Sequence, residues 1–105
     1  MWNKDKIKEV VTKDKVVIFG KGSRFEPMCG FTAKAIQIMD RLLPDYTVVN
    51  IFDDAQIRPS LIEYSGWPTT PQLFINGELI GGSDIIEELL GSGELKAKLQ
   101  AAGAL

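Results

Sequence analysis

A continuous apolar run near the start of the chain restricts the fold more than any other feature of the sequence. Between Lys15 and Gly20, residues 16–19 read Val-Val-Ile-Phe without a polar residue. A strand with one solvated face alternates apolar and polar side chains, whereas a strand that is covered on both faces is apolar throughout. The run therefore predicts a central strand in a sheet that carries helices on both faces.

Shorter apolar patterns predict an alternation of helices and strands around this run. A second strand is expected over 46–51. Residues 72–80 are expected to form a hairpin that turns at Asn76-Gly77, because both residues tolerate the positive φ of a type I′ turn. A last helix is expected from about Gly93. The other helices are predicted from apolar positions that would form their buried faces: Trp2, Ile7, Val10 and Val11; Phe31, Ala35, Ile38 and Leu42; Ile57, Leu61 and Tyr64; Ile85, Ile86, Leu89 and Leu90.

The connections between these elements determine the expected sheet topology. Two strands joined by a helical crossover run parallel, while strands joined by a two-residue turn run antiparallel. The order predicts an α/β fold with a mixed four-stranded sheet and helices on both faces. A chain of 105 residues is expected to form one globular domain. We also expect Ser83 or Asp84 to cap the helix after the hairpin, with Glu87 at capping-box spacing from Asp84.

The side-chain inventory excludes several kinds of chemistry and partner. Without histidine, the chain can form neither a Ser-His-Asp triad nor a two-His zinc site, and with Cys29 alone it forms no intrachain disulfide. A balance of 12 basic against 14 acidic residues argues against nucleic acid as a partner. No apolar run reaches the roughly 18 residues of a membrane span, so no membrane association is expected. The start of the chain predicts a cytoplasmic protein, or an organelle-matrix protein if a presequence has been removed.

Cys29 lies where an irregular segment is expected to turn into a helix. Unpaired backbone N–H groups and the positive end of the helix dipole favour a thiolate there, and Gly30 would let a ligand approach the sulfur. The same position suits a small buried apolar residue, which is what most free cysteines are. The position leaves both interpretations open. Since Cys29 is the only cysteine, thiolate chemistry would need a second sulfur from outside the chain.

The residues around this cysteine are ambiguous when each is taken alone. Thr32, one helical turn further on, places a hydroxyl near the sulfur or serves the helix surface. Lys21, at the end of the first strand, places an ammonium near the thiolate or is only solvated. The bond before Pro71 is cis or trans. Ser83-Asp84 at a helix start binds a carboxylate or caps the helix.

Taken together, several motifs resemble the monothiol glutaredoxins of the Cys-Gly-Phe-Ser type. The motifs are Lys21-Gly22, PMCGFT at 27–32, WPT at 67–69 followed by PQ at 71–72, and NGELIGGSD at 76–84. The resemblance extends from about Lys8 to Leu99. It implies a thioredoxin fold and a single glutaredoxin domain over residues 1–105.

The resemblance also implies a glutathione site beside Cys29. In this family, the residues that match Lys21 and Arg58 hold the glycine carboxylate of glutathione, and the residue that matches Thr70 pairs with its cysteine through the backbone, before a cis proline. The start of the last motif's helix receives the γ-glutamyl end. The implied glutathione-binding residues are Lys21, Cys29, Arg58, Thr70, Pro71, Gly82, Ser83 and Asp84.

A shared 2Fe-2S cluster is the second implication of the resemblance. Two protomers of this family bind the cluster, and each provides one cysteine thiolate and one glutathione thiolate, which makes the four thiolates that such a cluster requires. Cys29 is then the metal ligand, the loaded protein is a homodimer, and iron-sulfur recipient proteins are its partners in cluster storage and transfer and in iron and redox homeostasis. The eight-residue separation of Lys21 from Cys29, longer than in dithiol glutaredoxins, favours this function.

Two other functions are compatible with the same residues. The first is glutathione-dependent thiol-disulfide exchange, in which Cys29 is a catalytic nucleophile that removes glutathione from mixed disulfides; we expect at most a weak enzyme. The second is a regulatory adaptor that shares its cluster site with a partner protein supplying a histidine.

Three positions depart from the family pattern. Thr32 replaces the usual serine and adds a methyl group. Thr70 stands where a bulky or aromatic residue is common, which reduces the side-chain cover over glutathione. Ser83 replaces a frequent cysteine and removes the partner for an intramolecular disulfide with Cys29.

Overall fold

The computed structural model describes residues 1–105 and contains five α-helices and four strands. The helices are α1 (Lys4–Lys13), α2 (Gly30–Leu42), α3 (Ile57–Ser65), α4 (Ser83–Ser92) and α5 (Glu94–Ala101), and a short 3₁₀ helix covers Ile51–Asp53. The strands are β1 (Val16–Gly20), β2 (Thr47–Asn50), β3 (Gln72–Ile75) and β4 (Glu78–Gly81). No helix combines the length and the apolar composition that a membrane span requires.

Strand β1 lies inside the sheet, as its apolar sequence predicts. The strand order is β2-β1-β3-β4, with β1 parallel to β2 and antiparallel to β3. All five residues of β1 are buried. The hairpin of β3 and β4 turns at Asn76 (φ 51°) and Gly77 (φ 83°), the positive values predicted for this pair. The mixed four-stranded α/β sheet is therefore confirmed.

Different helices cover the two faces of the sheet. On one face, Val16 and Ile18 join a buried cluster with side chains of α2, α4 and α5. On the other face, Val17 and Phe19 join a cluster with side chains of α1 and α3. Successive side chains of a strand point to opposite faces, so β1 contributes to both clusters. This strand connects the two parts of the core, and the segment that leads to Cys29 begins after its last residue, Gly20.

One predicted core residue is wrong. The spacing places Phe31 on the buried face of α2, but its side chain is 61% exposed. Thr32 takes the buried place and is 0% exposed. The reason is a close approach of α2 to β1: a Cβ atom at Gly20 would lie 2.6 Å from the Thr32 methyl carbon, so only a glycine leaves room for this threonine.

The predicted cap of α4 is also wrong. Gly82 is the N-cap residue, and no side chain makes a capping hydrogen bond. Ser83 is the first helical residue and is buried, whereas Asp84 is exposed. Glu87 does not complete a capping box, because Ile85 takes the third position of a helix whose N-cap is Gly82, and the Glu87 carboxylate instead forms an ion pair with Lys34 of α2 at 2.8 Å.

Candidate functional site

Cys29 lies at the start of α2, where the structure makes its thiol more acidic. It is the N-cap residue, its backbone is extended, and its side chain is partly exposed. The backbone N–H groups of Thr32 and then Phe31 lower the pKa of the thiol, and the ammonium group of Lys21 lowers it further, against a partial burial that raises it. A partly exposed thiol with a lowered pKa agrees with the reactive interpretation of Cys29, not with the buried apolar one.

Thr32 holds the end of β1 against the start of α2. Its Oγ1 accepts a hydrogen bond from the backbone N–H of Lys21 at 3.1 Å. The hydroxyl also contributes, as the smallest cause, to the lowered pKa of Cys29. The structure therefore agrees with the interpretation that places the Thr32 hydroxyl near the sulfur, whereas the helix-surface interpretation is wrong, because Thr32 is fully buried between α2 and β1. Through Thr32, Lys21 and Cys29 are kept close together although eight positions separate them in the chain.

The segment between Lys21 and Cys29 is a compact loop with its own hydrogen bonds. The Met28 N–H donates to the Lys21 carbonyl at 2.8 Å, and the Gly22 N–H donates to Asn50 Oδ1 at 3.0 Å. Gly22 has a φ of +96°, and a Cβ atom there would collide with the Glu26 carbonyl oxygen. The loop conformation therefore requires glycine at this position.

Arg24 joins this loop to the rest of the molecule, a role that the sequence analysis missed. Its guanidinium forms ion pairs with Asp40 and Asp45, both at 3.0 Å, and donates to the Pro44 carbonyl at 3.1 Å. It also lies 4.4 Å from the ring centroid of Tyr46, whose hydroxyl donates to Asp40 at 2.7 Å. Burial and the Asp40 hydrogen bond raise the pKa of Tyr46. The partners are 16 or more positions from Arg24, so no local pattern predicts them.

A groove of about 360 Å³ opens beside Lys21, at the start of the loop between Lys21 and Cys29. It is lined by Lys21, Phe31, Arg58, Trp67, Thr69, Thr70, Pro71, Gly82, Ser83, Asp84 and Ile85. The structure thus brings together all the predicted glutathione-site residues except Cys29, which does not line the groove. Lys21 connects the two, because it lines the groove and lowers the pKa of the Cys29 thiol. That these residues bind glutathione stays a prediction.

The sheet topology explains why distant segments meet at this groove. Strand β3 is antiparallel to β1, and its first residue, Gln72, pairs with Phe19 near the end of β1. Strand β4 ends at the same end of the sheet, where Gly81 pairs with Leu73. The residues that follow β1, precede β3 and follow β4 therefore lie side by side. The Thr70–Pro71 peptide bond before β3 is cis, as the resemblance implies.

The groove also contains residues that were not predicted as site residues. Phe31, Trp67, Thr69 and Ile85 line it. The WPT motif contains two of these residues, so the resemblance could have located them. Phe31 could have been found from its position two residues after Cys29 in the same motif.

The charges in the groove would suit an anionic ligand. Lys21 and Arg58 line it, and neither takes part in an ion pair. The first residues of α4, a helix whose start no side chain caps, line it as well. A helix N-terminus favours a carboxylate through its N–H groups and dipole. Asp84 is the acidic residue of the groove and would favour an amine.

Comparison with known proteins identifies the family. The glutaredoxin family model matches residues 16–80, more than half of the chain. An uncharacterized, ycf64-like monothiol glutaredoxin from Synechocystis sp. is 43% identical over 99 residues, which cover 94% of this chain and 92% of the relative. The chain is a monothiol glutaredoxin. Its single cysteine, Cys29, agrees with the monothiol type.

Solved structures confirm the thioredoxin fold of this glutaredoxin. A truncated mutant of 1-C-Grx1 from Trypanosoma brucei has a TM-score of 0.89 and 35% identity, and the match covers 100% of this chain and 96% of that one. A buckwheat glutaredoxin, solved as a glutathione complex, has a TM-score of 0.86 and 27% identity, with 97% and 91% of the two chains covered.

The ligands that this chain offers to a metal are few. No group of three or more His, Cys, Asp or Glu side chains is placed to hold a metal ion. Cys29 can provide one thiolate, so a metal group bound here would need most of its ligands from other molecules.

Proposed function

We propose that this glutaredoxin binds glutathione in the groove and, as a homodimer, carries a 2Fe-2S cluster to iron-sulfur recipient proteins. The observation that carries the proposal is the position of Lys21. Its side chain lines the groove and also lowers the pKa of Cys29, so a ligand in the groove would lie next to a thiol that favours the thiolate form.

The groove has the chemistry that a tripeptide with two carboxylates needs. Lys21 and Arg58 are cations without an acidic partner, and they would bind one carboxylate. The start of α4 would bind the other carboxylate through backbone N–H groups, and Asp84 would attract the amine beside it. The buckwheat glutaredoxin with the same fold was solved with glutathione, which supports this assignment.

The chain's own donors fit a cluster shared between molecules. A 2Fe-2S cluster takes four thiolates, whereas each chain has one cysteine. Two copies of Cys29 and two glutathione thiols would complete the set. The lowered pKa of Cys29 favours the ionised sulfur that a metal ligand requires. The cluster is the cargo of the protein in this proposal, and the groove residues hold the glutathione that completes its ligands.

Anaerobic reconstitution tests the proposed function. The protein is incubated with iron, sulfide and reduced glutathione, and the visible absorption spectrum and the molecular mass in solution are measured. We expect a coloured dimer from the unmodified chain and a colourless monomer from Cys29→Ser or without glutathione. A colourless monomer from the unmodified chain with all components present would contradict the proposal.

Glutathione-dependent thiol-disulfide exchange is the second candidate. The lowered pKa of Cys29 favours it, because the thiolate is the attacking species. With no second cysteine in the chain, the mixed disulfide on Cys29 must be resolved by another glutathione. Turnover of a glutathionylated disulfide as fast as that of a dithiol glutaredoxin would place this activity first. An adaptor role with a histidine-supplying partner would appear as binding that depends on the cluster.

A further inference from the structure

Gln72, the first residue of β3, makes contacts that are unusual for a glutamine. Its side chain is 0% exposed. Its Nε2 donates one hydrogen bond to the Trp67 carbonyl at 2.9 Å and a second to the Thr69 carbonyl at 3.0 Å. Glutamine is seldom fully buried, because an amide without partners is costly inside a protein. Here both N–H donors are used on one loop.

The loop that receives these hydrogen bonds forms a large part of the groove. Trp67, Thr69, Thr70 and Pro71 all line it. The loop lies outside the helices and strands, so its backbone lacks the repeated hydrogen bonds that hold them. Gln72 is itself held by the sheet through its pairing with Phe19 of β1. Its amide therefore connects an irregular loop to a buried strand that pairs with β1.

We propose that Gln72 is a positioning residue, which holds the backbone of Trp67 and Thr69 so that the loop keeps the shape that binds glutathione. The effect on glutathione rests on the proposed function, whereas the effect on the loop does not. Gln72 touches no predicted ligand position itself. It acts through the two carbonyls, and its own side chain does not line the groove.

The carbonyls of Trp67 and Thr69 determine the orientation of the Gln72 amide. Gln72 Oε1 and Trp67 Nε1 are both buried and form no hydrogen bond. Both carbonyls need donors, so the amide must present Nε2 to them and leave Oε1 unpaired. Glutamate would place an oxygen against both carbonyls, and methionine would leave both carbonyls unpaired at nearly constant side-chain volume. The glutamine amide donates to both carbonyls, which neither glutamate nor methionine would do.

The test uses Trp67 as a reporter of the loop. Trp2 and Trp67 are the two tryptophans, so all variants are made in a Trp2→Phe background. The variants are Gln72→Met, which keeps the volume, Gln72→Glu, and Gln100→Glu, which adds the same charge at an exposed position of α5. Thermal unfolding is recorded for each, and all other measurements are made well below the lowest midpoint. These other measurements are acrylamide quenching of Trp67, calorimetric titration with reduced glutathione, and the pH midpoint of Cys29 alkylation.

We expect both Gln72 variants to increase the quenching of Trp67 and to raise the glutathione Kd by about tenfold. The pH midpoint of Cys29 alkylation is expected to stay constant, because α2 and Lys21 set it. Gln100→Glu is expected to change none of these quantities. A folded Gln72→Met protein with unchanged quenching, or with changed quenching and an unchanged Kd, would overturn the inference. If the unmodified chain binds no glutathione, the proposed function fails, and the quenching result alone decides the role of Gln72 in the loop.

Discussion

At the residue scale, the acidity of Cys29 depends first on the backbone of α2 and only then on charge. The N–H groups of Thr32 and Phe31 are the larger causes of its lowered pKa, and Lys21 is a smaller one. Backbone donors stay in place as long as the helix is folded, whereas a surface charge is screened by salt. The thiolate should therefore tolerate changes of the surrounding charges.

The pH dependence of Cys29 alkylation tests this order of causes. The folded pKa lies below the unfolded one, so alkylation by iodoacetamide should continue at lower pH in the native protein than in urea. Ionisation of Cys29 then stabilises the fold above the unfolded pKa, and this contribution is lost as the pH falls through the folded pKa. Lys21→Gln should raise the midpoint only part of the way to that of the unfolded chain, because the backbone donors of α2 remain. A Lys21→Gln midpoint equal to that of the unfolded chain would contradict the dominance of the backbone.

Thr32 offers a second test at this scale, because its hydroxyl accepts a hydrogen bond whereas its methyl group packs against β1. Thr32→Val removes the acceptor of the Lys21 N–H and should cost about 1–3 kcal/mol in the free energy of unfolding. Thr32→Ser keeps the acceptor and loses the methyl that packs against Gly20, at a cost of about 1 kcal/mol. Urea unfolding followed by circular dichroism measures both values. A larger cost for serine than for valine would contradict the role of the hydroxyl.

At the scale of elements, the loop between β1 and α2 is held from outside itself. Its own hydrogen bonds join Lys21 to Met28 and Ser23 to Glu26. Arg24, whose side chain is only 17% exposed, connects it to α2 and to the turn that precedes β2. The loop that leads to Cys29 therefore keeps its position through the contacts of Arg24 with Asp40 and Asp45, which follow Cys29 in the chain.

Replacement of Arg24 should loosen this loop without removing any groove residue. In Arg24→Met, we expect hydrogen exchange at the Met28 amide to become about tenfold faster, because the ion pair with Asp40 and the hydrogen bond to the Pro44 carbonyl are lost. Asp45→Asn is the matched control, since Asp45 is 90% exposed and should contribute little. The measurement is amide exchange by NMR. Equal exchange rates in Arg24→Met and the unmodified chain would show that the hydrogen bonds inside the loop are enough to keep its conformation.

At the scale of the whole molecule, β1 makes the two halves of the core depend on each other. Its alternate side chains belong to the clusters on opposite faces of the sheet. Loss of packing on one face should therefore also weaken the other face. The same strand ends at Gly20, directly before Lys21, so a shift of β1 in the core would also move a residue of the groove.

Ile18→Ala tests this coupling. Ile18 is 0% exposed in the cluster that packs against α2, and its truncation should cost about 2–5 kcal/mol. The variant is made in a Trp67→Phe background, so that Trp2 is the only tryptophan; Trp2 packs against the cluster on the opposite face, and its fluorescence reports the other half of the core. We expect fluorescence and far-UV circular dichroism to give the same lowered urea midpoint. Two separate midpoints would show that the halves unfold independently.

Much of this architecture can be predicted from local patterns. The apolar run of β1, the turn at Asn76-Gly77 and the crossover between parallel strands follow from steric preferences and periodicity, which act over a few residues. The position of Phe31 could not be predicted in this way. Spacing defines a helical face, but the contact of Thr32 with Gly20 decides which face of α2 meets the sheet.

The sequence alone determined the number of thiols, the order of the elements and the motifs that resemble the monothiol glutaredoxins. Only the tertiary structure decided that Lys21 serves both the groove and the thiol, that Arg24 holds the loop, and that Gln72 braces the segment before β3. The physical reason is the range of the interactions. Periodicity and turn preference act between neighbours in the chain, whereas burial, ion pairing and the pKa of Cys29 depend on groups that the sheet brings together from distant positions.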